Sequence, residues 1–200
     1  SDLSTMFTDV TGATPVTAGQ SVGLILDKRL GATPSVINQW VDASVVFGGE
    51  STRVDTTSYR ILSTAGVNSN AQVTGVLVIG QVYRVTFTIV SNTGVGVRVC
   101  DTGAVASTPG TYTSTFVADA VTAFIKRNGG ITDTIVTNIS FRHIPGNHAY
   151  QATSGSRPIF RDINGVRYLE FGGVDDYLRA TFTIARPIDR ISALRRVSWT

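Results

Sequence analysis

Polar and apolar residues alternate along much of this chain. In Tyr83-Arg84-Val85-Thr86-Phe87-Thr88-Ile89, the residues Tyr83, Val85, Phe87 and Ile89 fall on one face. Arg84, Thr86 and Thr88 fall on the other. That two-residue period belongs to a half-buried strand; a helix would repeat its apolar positions every three or four residues. The same period recurs in Val95-Val97-Val99, in Tyr112-Ser114-Phe116 and in Thr137-Ile139-Phe141. Between these runs stand Asn92-Thr93-Gly94, Pro109-Gly110 and Asn128-Gly129-Gly130. Asn-Gly favours a two-residue hairpin, because both central residues of that turn need positive φ. About eight strands are predicted between residues 35 and 145. Each has one apolar and one polar face, which suits two antiparallel sheets packed face to face.

The flanks carry fewer signals. Val22-Gly23-Leu24-Ile25-Leu26 is an apolar run that predicts a buried strand. Asn164-Gly165 predicts a hairpin between Ile159-Phe160-Arg161 and Val166–Phe171. Gly172-Gly173 and Asp175-Asp176 then turn the chain into a strand over Leu178–Thr183. Ile188–Val197 fits a helix or a strand, and its surroundings favour strand. The fold class expected is all-β, with no internal repeat.

Composition narrows the options. The chain has 200 residues, enough for one large or two small domains. At 42% hydrophobic and 16% charged it is too apolar for disorder, and no apolar run reaches the length of about 18 residues that membrane insertion requires. Net charge is +3, and the 17 basic residues are scattered. A nucleic-acid binder usually concentrates such charge on one face, so nucleic acid is not an expected partner. The single cysteine, Cys100, forbids an intrachain disulfide, and its place in a strand-like run points to a structural thiol. No segment has the layout of a signal peptide. The chain reads as a piece of a longer protein.

Two separated stretches complete one another. Leu26-Asp27-Lys28 stands near the start. Much later come Gly146-Asn147-His148-Ala149-Tyr150-Gln151-Ala152-Thr153, then Arg157-Pro158, then Tyr168–Leu178 with its Gly172-Gly173 and Asp175-Asp176. Joined, they resemble the opening of a concanavalin A-like (laminin G-like) β-sandwich of phage and bacterial surface proteins. The block between them is similar to the galactose-binding-like jelly roll of carbohydrate-binding modules. It carries the phrases Gly80–Val90, Gly110–Ala118 and Thr137–Asn147. The resemblance implies a partial sandwich from residues 1–34 and 146–200, with a jelly roll of residues 35–145 inserted in it. It also implies that an outer module lacking residues 36–144 would still fold.

Candidate chemistry is sparse. No Gly-x-Ser-x-Gly elbow, P-loop or dinucleotide fingerprint is present. His143 and His148 lie five residues apart with no thiol nearby, and hydrogen bonds to crossing backbone suit them better than zinc. Asp175 and Asp176 are the calcium candidates. Short carboxylates in a turn more often bond their own backbone, and that is the preferred reading. Adjacent carboxylates cannot flank a sugar bond as a glycosidase pair does. Asn138-Ile139-Ser140 matches a glycosylation sequon to which no role is given. For sugar binding, the aromatic candidates are Trp40, Tyr59, Tyr112 and Tyr150. Trp40, at the entrance to the insert, is more commonly a core residue.

These readings converge on a non-enzymatic phage virion protein, on the particle exterior, without cofactor or metal. The first reading is a tail-fibre or appendage module that contacts other virion proteins or a host-surface glycan. Such proteins commonly assemble as trimers, so a homotrimer is expected by analogy. The alternatives are a capsid decoration or cement protein, and an ancillary binding part of a larger glycan-degrading enzyme.

Overall fold

The computed structural model describes residues 5–27, 34–101 and 103–180. Lys28 and the expected strand over Ile188–Val197 lie outside them, as does the end of the Leu178–Thr183 strand.

The chain is all-β. Its strands are β1 (Met6–Phe7), β2 (Leu24–Ile25), β3 (Val46–Gly48), β4 (Thr52–Arg53), β5 (Tyr59–Ser63), β6 (Asn70–Val73), β7 (Val82–Gly94) and β8 (Val97–Val99). There follow β9 (Val105–Ala106), β10 (Gly110–Val117), β11 (Ala123–Arg127), β12 (Thr132–His143), β13 (Ala149–Tyr150), β14 (Ile159–Ile163), β15 (Val166–Glu170) and β16 (Arg179–Ala180). Two five-stranded sheets occupy the middle of the chain, in the orders β10-β7-β12-β5-β4 and β3-β6-β11-β8-β9. Every pairing is antiparallel. The pairs β5–β12, β6–β11, β7–β10 and β8–β9 nest one inside the next. One long hairpin with its tip at β8–β9 is thus rolled into two sheets, which is the winding of a jelly roll.

That winding corrects the turn reading. Asn92-Thr93-Gly94 and Asn128-Gly129-Gly130 do not close hairpins. The first is the end of β7, which leads on to β8, and the second joins β11 to β12, in each case strands of opposite sheets. Gly94 and Gly129 do have the positive φ that the signal detects, at 102° and 79°. The same local geometry here steers the chain across the sandwich. By contrast, Asn164 (φ 54°) and Gly165 (φ 80°) form the two-residue hairpin turn expected between β14 and β15.

The core lies between the two sheets. Tyr83, Val85, Phe87 and Ile89 of β7 are buried, and so are Phe116, Val97, Val99, Ile125, Ile139 and Phe141. Val95 lies outside β8 and is exposed. Alternation fails at one point of β12. Two of its residues, Asn138 and Ile139, lie opposite the single residue Phe87. The bulge leaves Asn138 exposed at φ 53°. Before it, Thr132, Thr134 and Val136 face inward; after it, Ile139 and Phe141 do. Thr137 therefore does not share a face with Ile139, against the period read from the sequence.

The flanks build a four-stranded sheet in the order β1-β2-β13-β16, beside the two-stranded β14–β15 ribbon. Their own small cluster is Val16, Val22 and Phe160. A second cluster is shared with the middle of the chain: Val10, Leu24 and Leu26 pack with Val82, Val117 and Ile144. The flanks also cover part of β10, an edge strand, where Thr115 N–H donates to Thr11 O at 2.7 Å. Covering an edge blocks unwanted strand pairing. Among the described residues no helix is long and apolar enough to cross a membrane.

Candidate binding surface

The motif residues of the flanks meet in space. Asp27 N–H donates to His148 Nδ1 at 2.9 Å, and Asn147 N–H donates to Asp27 Oδ2 at 2.9 Å. His148 is 3% exposed, and its Nε2 lies 2.8 Å from Ile144 O. Nδ1 accepts from an amide, so Nε2 carries the proton and donates. Gly146 sits beside this ring at φ 146°; a Cβ there would come within 2.9 Å of both Asp27 and His148. Arg157 extends the junction. Its guanidinium donates to Gln151 O at 2.8 Å, Ala152 O at 2.8 Å and Thr8 O at 2.9 Å. These side chains spend their polar groups holding chain segments together.

His143 faces Gln81, with Nε2 and Oε1 3.1 Å apart, and its ring lies 5.4 Å from that of Tyr83. Burial, and then the neighbouring His148, lower its pKa below the ordinary imidazole value. Cys100 is 1% exposed, and burial pushes its thiol up to about 12. A thiol held protonated is a poor nucleophile, although Cys100 lies just past β8, at φ 45°, and not in a strand.

The four aromatic candidates separate into two kinds. Trp40 is 3% exposed and Tyr59 is fully buried. Trp40 stacks on Phe141 at 5.6 Å and meets Tyr59 edge-on at 5.8 Å. Its indole N–H donates to Asp42 Oδ1 at 3.2 Å, and the Tyr59 hydroxyl donates to the same oxygen. Burial, reinforced by that carboxylate, raises the Tyr59 phenol pKa. Neither ring offers a free plane, which corrects the expectation of a sugar platform at these two positions. Tyr112 and Tyr150 are half-buried. Tyr112 stacks on Phe87 at 5.5 Å, and its hydroxyl lies 2.6 Å from Thr108 Oγ1. Tyr150 packs against the shared cluster. The structure does not gather the four into one site.

Asp175 and Asp176 take different partners. Ser156 Oγ donates to Asp175 Oδ2 at 2.8 Å, and Gly172 N–H donates to Asp176 Oδ2 at 2.6 Å. Among the described residues, no three metal-ligating side chains cluster.

The outer face of the β7 sheet carries an ordered polar surface. Register places three rows across β10, β7 and β12: Thr111–Thr88–Thr137, Thr113–Thr86–Ser140 and Thr115–Arg84–Arg142. The hydroxyls of Thr88 and Thr111 lie 2.9 Å apart, and those of Thr86 and Thr113 lie 3.1 Å apart. Arg142 donates to Ser140 Oγ at 3.1 Å and to Val36 O at 3.0 Å. On the far side, Arg60 grips Asp133 with two bonds of 2.7 and 2.6 Å. Those bonds hold the Asp133 carboxyl below the usual carboxylate range. Thr115 is buried under the Thr11 loop and closes the third row. The sequence did place Arg84, Thr86 and Thr88 together. What marked them as a site was Thr-x-Thr on two neighbouring strands, and only the β7–β10 pairing makes that visible.

Comparisons with protein-family models, with curated proteins and with solved structures gave no match.

Proposed function

We propose that this chain is a non-enzymatic binding module on the exterior of a phage virion, built to contact a host-surface glycan. One observation carries the reading: two rows of hydroxyls bordered by Arg84 and Arg142 on the outer face of the sandwich. Threonine hydroxyls both donate and accept, and guanidinium forks donate in a plane. Sugar hydroxyls need that mixture. Aligned on a rigid sheet, the side chains lose little further entropy on binding. The concanavalin A-like likeness of the flanks supports the same setting, since Asp27 and Asn147 are hydrogen-bonded partners. By analogy the assembly is a homotrimer.

A glycan array of host polysaccharides tests the proposal, read with the full chain and with a Thr86→Val/Thr113→Val variant. Signal in the first and a drop of tenfold or more in the second is expected. Silence of the full chain on every polysaccharide overturns glycan contact.

A second reading, capsid decoration or cement, is favoured by a separate observation. Ile163, Val166 and Tyr168 on the β14–β15 ribbon and Phe171 just beyond it are 43–65% exposed, and an apolar set of that kind suits protein contact. Locating the chain in a cryo-EM map of the particle, at the tail or on the capsid lattice, separates the two.

A further inference from the structure

Three cations converge on the opposite sheet. Arg98 of β8 and Lys126 of β11 are direct cross-strand neighbours, an arrangement in which like charges repel. Arg127 follows at the end of β11. Together with Asn68 and Gly129 they line a concavity of about 190 Å³. Only one anion is in hydrogen-bonding reach of them among the described residues: Asp101, which pairs with Lys126. Arg98 makes no ion pair there. Arg127 Nε is buried with no hydrogen-bond partner.

Two neighbouring cations without a counter-charge raise the energy of the empty site. An oxyanion in the concavity offsets that repulsion. It accepts charge-assisted bonds from Arg98 and Arg127, whose planar forks match a carboxylate, sulfate or phosphate group. The volume is well beyond what a single water needs. One oxyanion fills a fraction of it and leaves space for the group bearing it. Gly129 stands at the rim with open space where its side chain would be.

We propose that this concavity is an oxyanion-binding site, and that the oxyanion it takes is borne by an acidic saccharide. The saccharide half rests on the glycan reading above; the oxyanion half stands without it. The site lies on the sheet opposite the threonine rows, so it would read a second, charged feature of the same class of ligand.

The test is an NMR titration of the ¹⁵N-labelled full chain at constant ionic strength, with sodium sulfate, acetate, glucuronate and glucose as probes. Saturable shifts are expected at the amides of residues 68–70 and 126–129 with sulfate, acetate and glucuronate, and none with glucose. Glucuronate should bind at least tenfold more tightly than acetate. Arg98→Gln and Arg127→Gln should each weaken sulfate binding at least tenfold. Should Arg127→Gln lose its dispersed spectrum, the half-exposed Arg98→Gln carries the comparison. Shifts no different from those of sodium chloride, or unchanged in the Arg98→Gln protein, overturn the site. Sulfate binding with glucuronate no tighter than acetate upholds the oxyanion site and overturns the saccharide as its carrier.

Discussion

Phe87 shows what one residue contributes to this sandwich. It is fully buried, stacks on Tyr112 at 5.5 Å, and faces the two bulge residues of β12. Truncation leaves a hole between strands that are fixed by their ladders, so collapse is limited. Phe87→Ala should cost about 3–5 kcal/mol in urea unfolding; a loss below about 1 kcal/mol would mean the neighbours fill the gap. His143 provides a pH handle. Its pKa is lowered in the folded chain, so the unfolded chain binds the proton more readily. Stability is then full above the ordinary value of about 6.5 and falls as pH drops through it toward the depressed folded value. The urea midpoint should decline between pH 7.5 and pH 5.5, and His143→Gln should flatten part of that decline. An identical slope in the variant would assign the acid sensitivity elsewhere. The strand faces of Tyr83 to Ile89 were legible because alternation follows from the pleat. The fate of Trp40 was not legible, since its burial depends on Phe141 and Tyr59, which are distant in sequence. Arg98 and Arg127 read as scattered charge for the same reason: only the pairing of β8 with β11 brings them together.

At the scale of elements, the bulge in β12 decides which residues reach the core. Without the extra residue, Ile139 and Phe141 would point outward once Thr134 and Val136 point inward. A slip of one residue reverses every side chain beyond it. The bulge depends on Asn138 adopting φ 53°, a region asparagine tolerates and β-branched residues do not. Asn138→Val should therefore cost about 1–2 kcal/mol, while Asn138→Gly should be nearly neutral. Equilibrium unfolding of the pair decides it: equal midpoints for Val and Gly would show that the backbone angle is not the constraint. The strand is legible in the sequence and the bulge is not, because a period-two pattern resumes on either side and the phase change is hidden among threonines. The Asn-Gly signals have a similar limit. They report local φ, and φ alone does not distinguish a hairpin from a crossing between sheets. At Asn164-Gly165 the flanking runs pair with each other; at Asn128-Gly129 β11 and β12 each pair with other strands, in different sheets.

At the scale of the molecule, the two parts of the chain are unequal. The large core draws all its residues from between Trp40 and Phe141. Among the described residues, the flanks bury only Val16, Val22 and Phe160 in a cluster of their own; the rest of their burial leans on Val82, Val117 and Ile144. Burial of apolar surface is the main favourable term in folding, so the inner sandwich should stand alone more readily than the outer segments. This differs from what sequence likeness implies, namely an outer module indifferent to the loss of residues 36–144. Residues 35–145 expressed alone should give a dispersed amide spectrum and a single cooperative unfolding transition. Its midpoint should be lower than that of the full chain, because Val82, Val117 and Ile144 lose their cover and Thr115 loses its cap from Thr11. Substituting Val117→Thr in that fragment should then cost less than in the full chain, since the position is wet in one and dry in the other. A collapsed amide spectrum for the fragment, or equal costs in both contexts, would show that the flanks are part of one indivisible core.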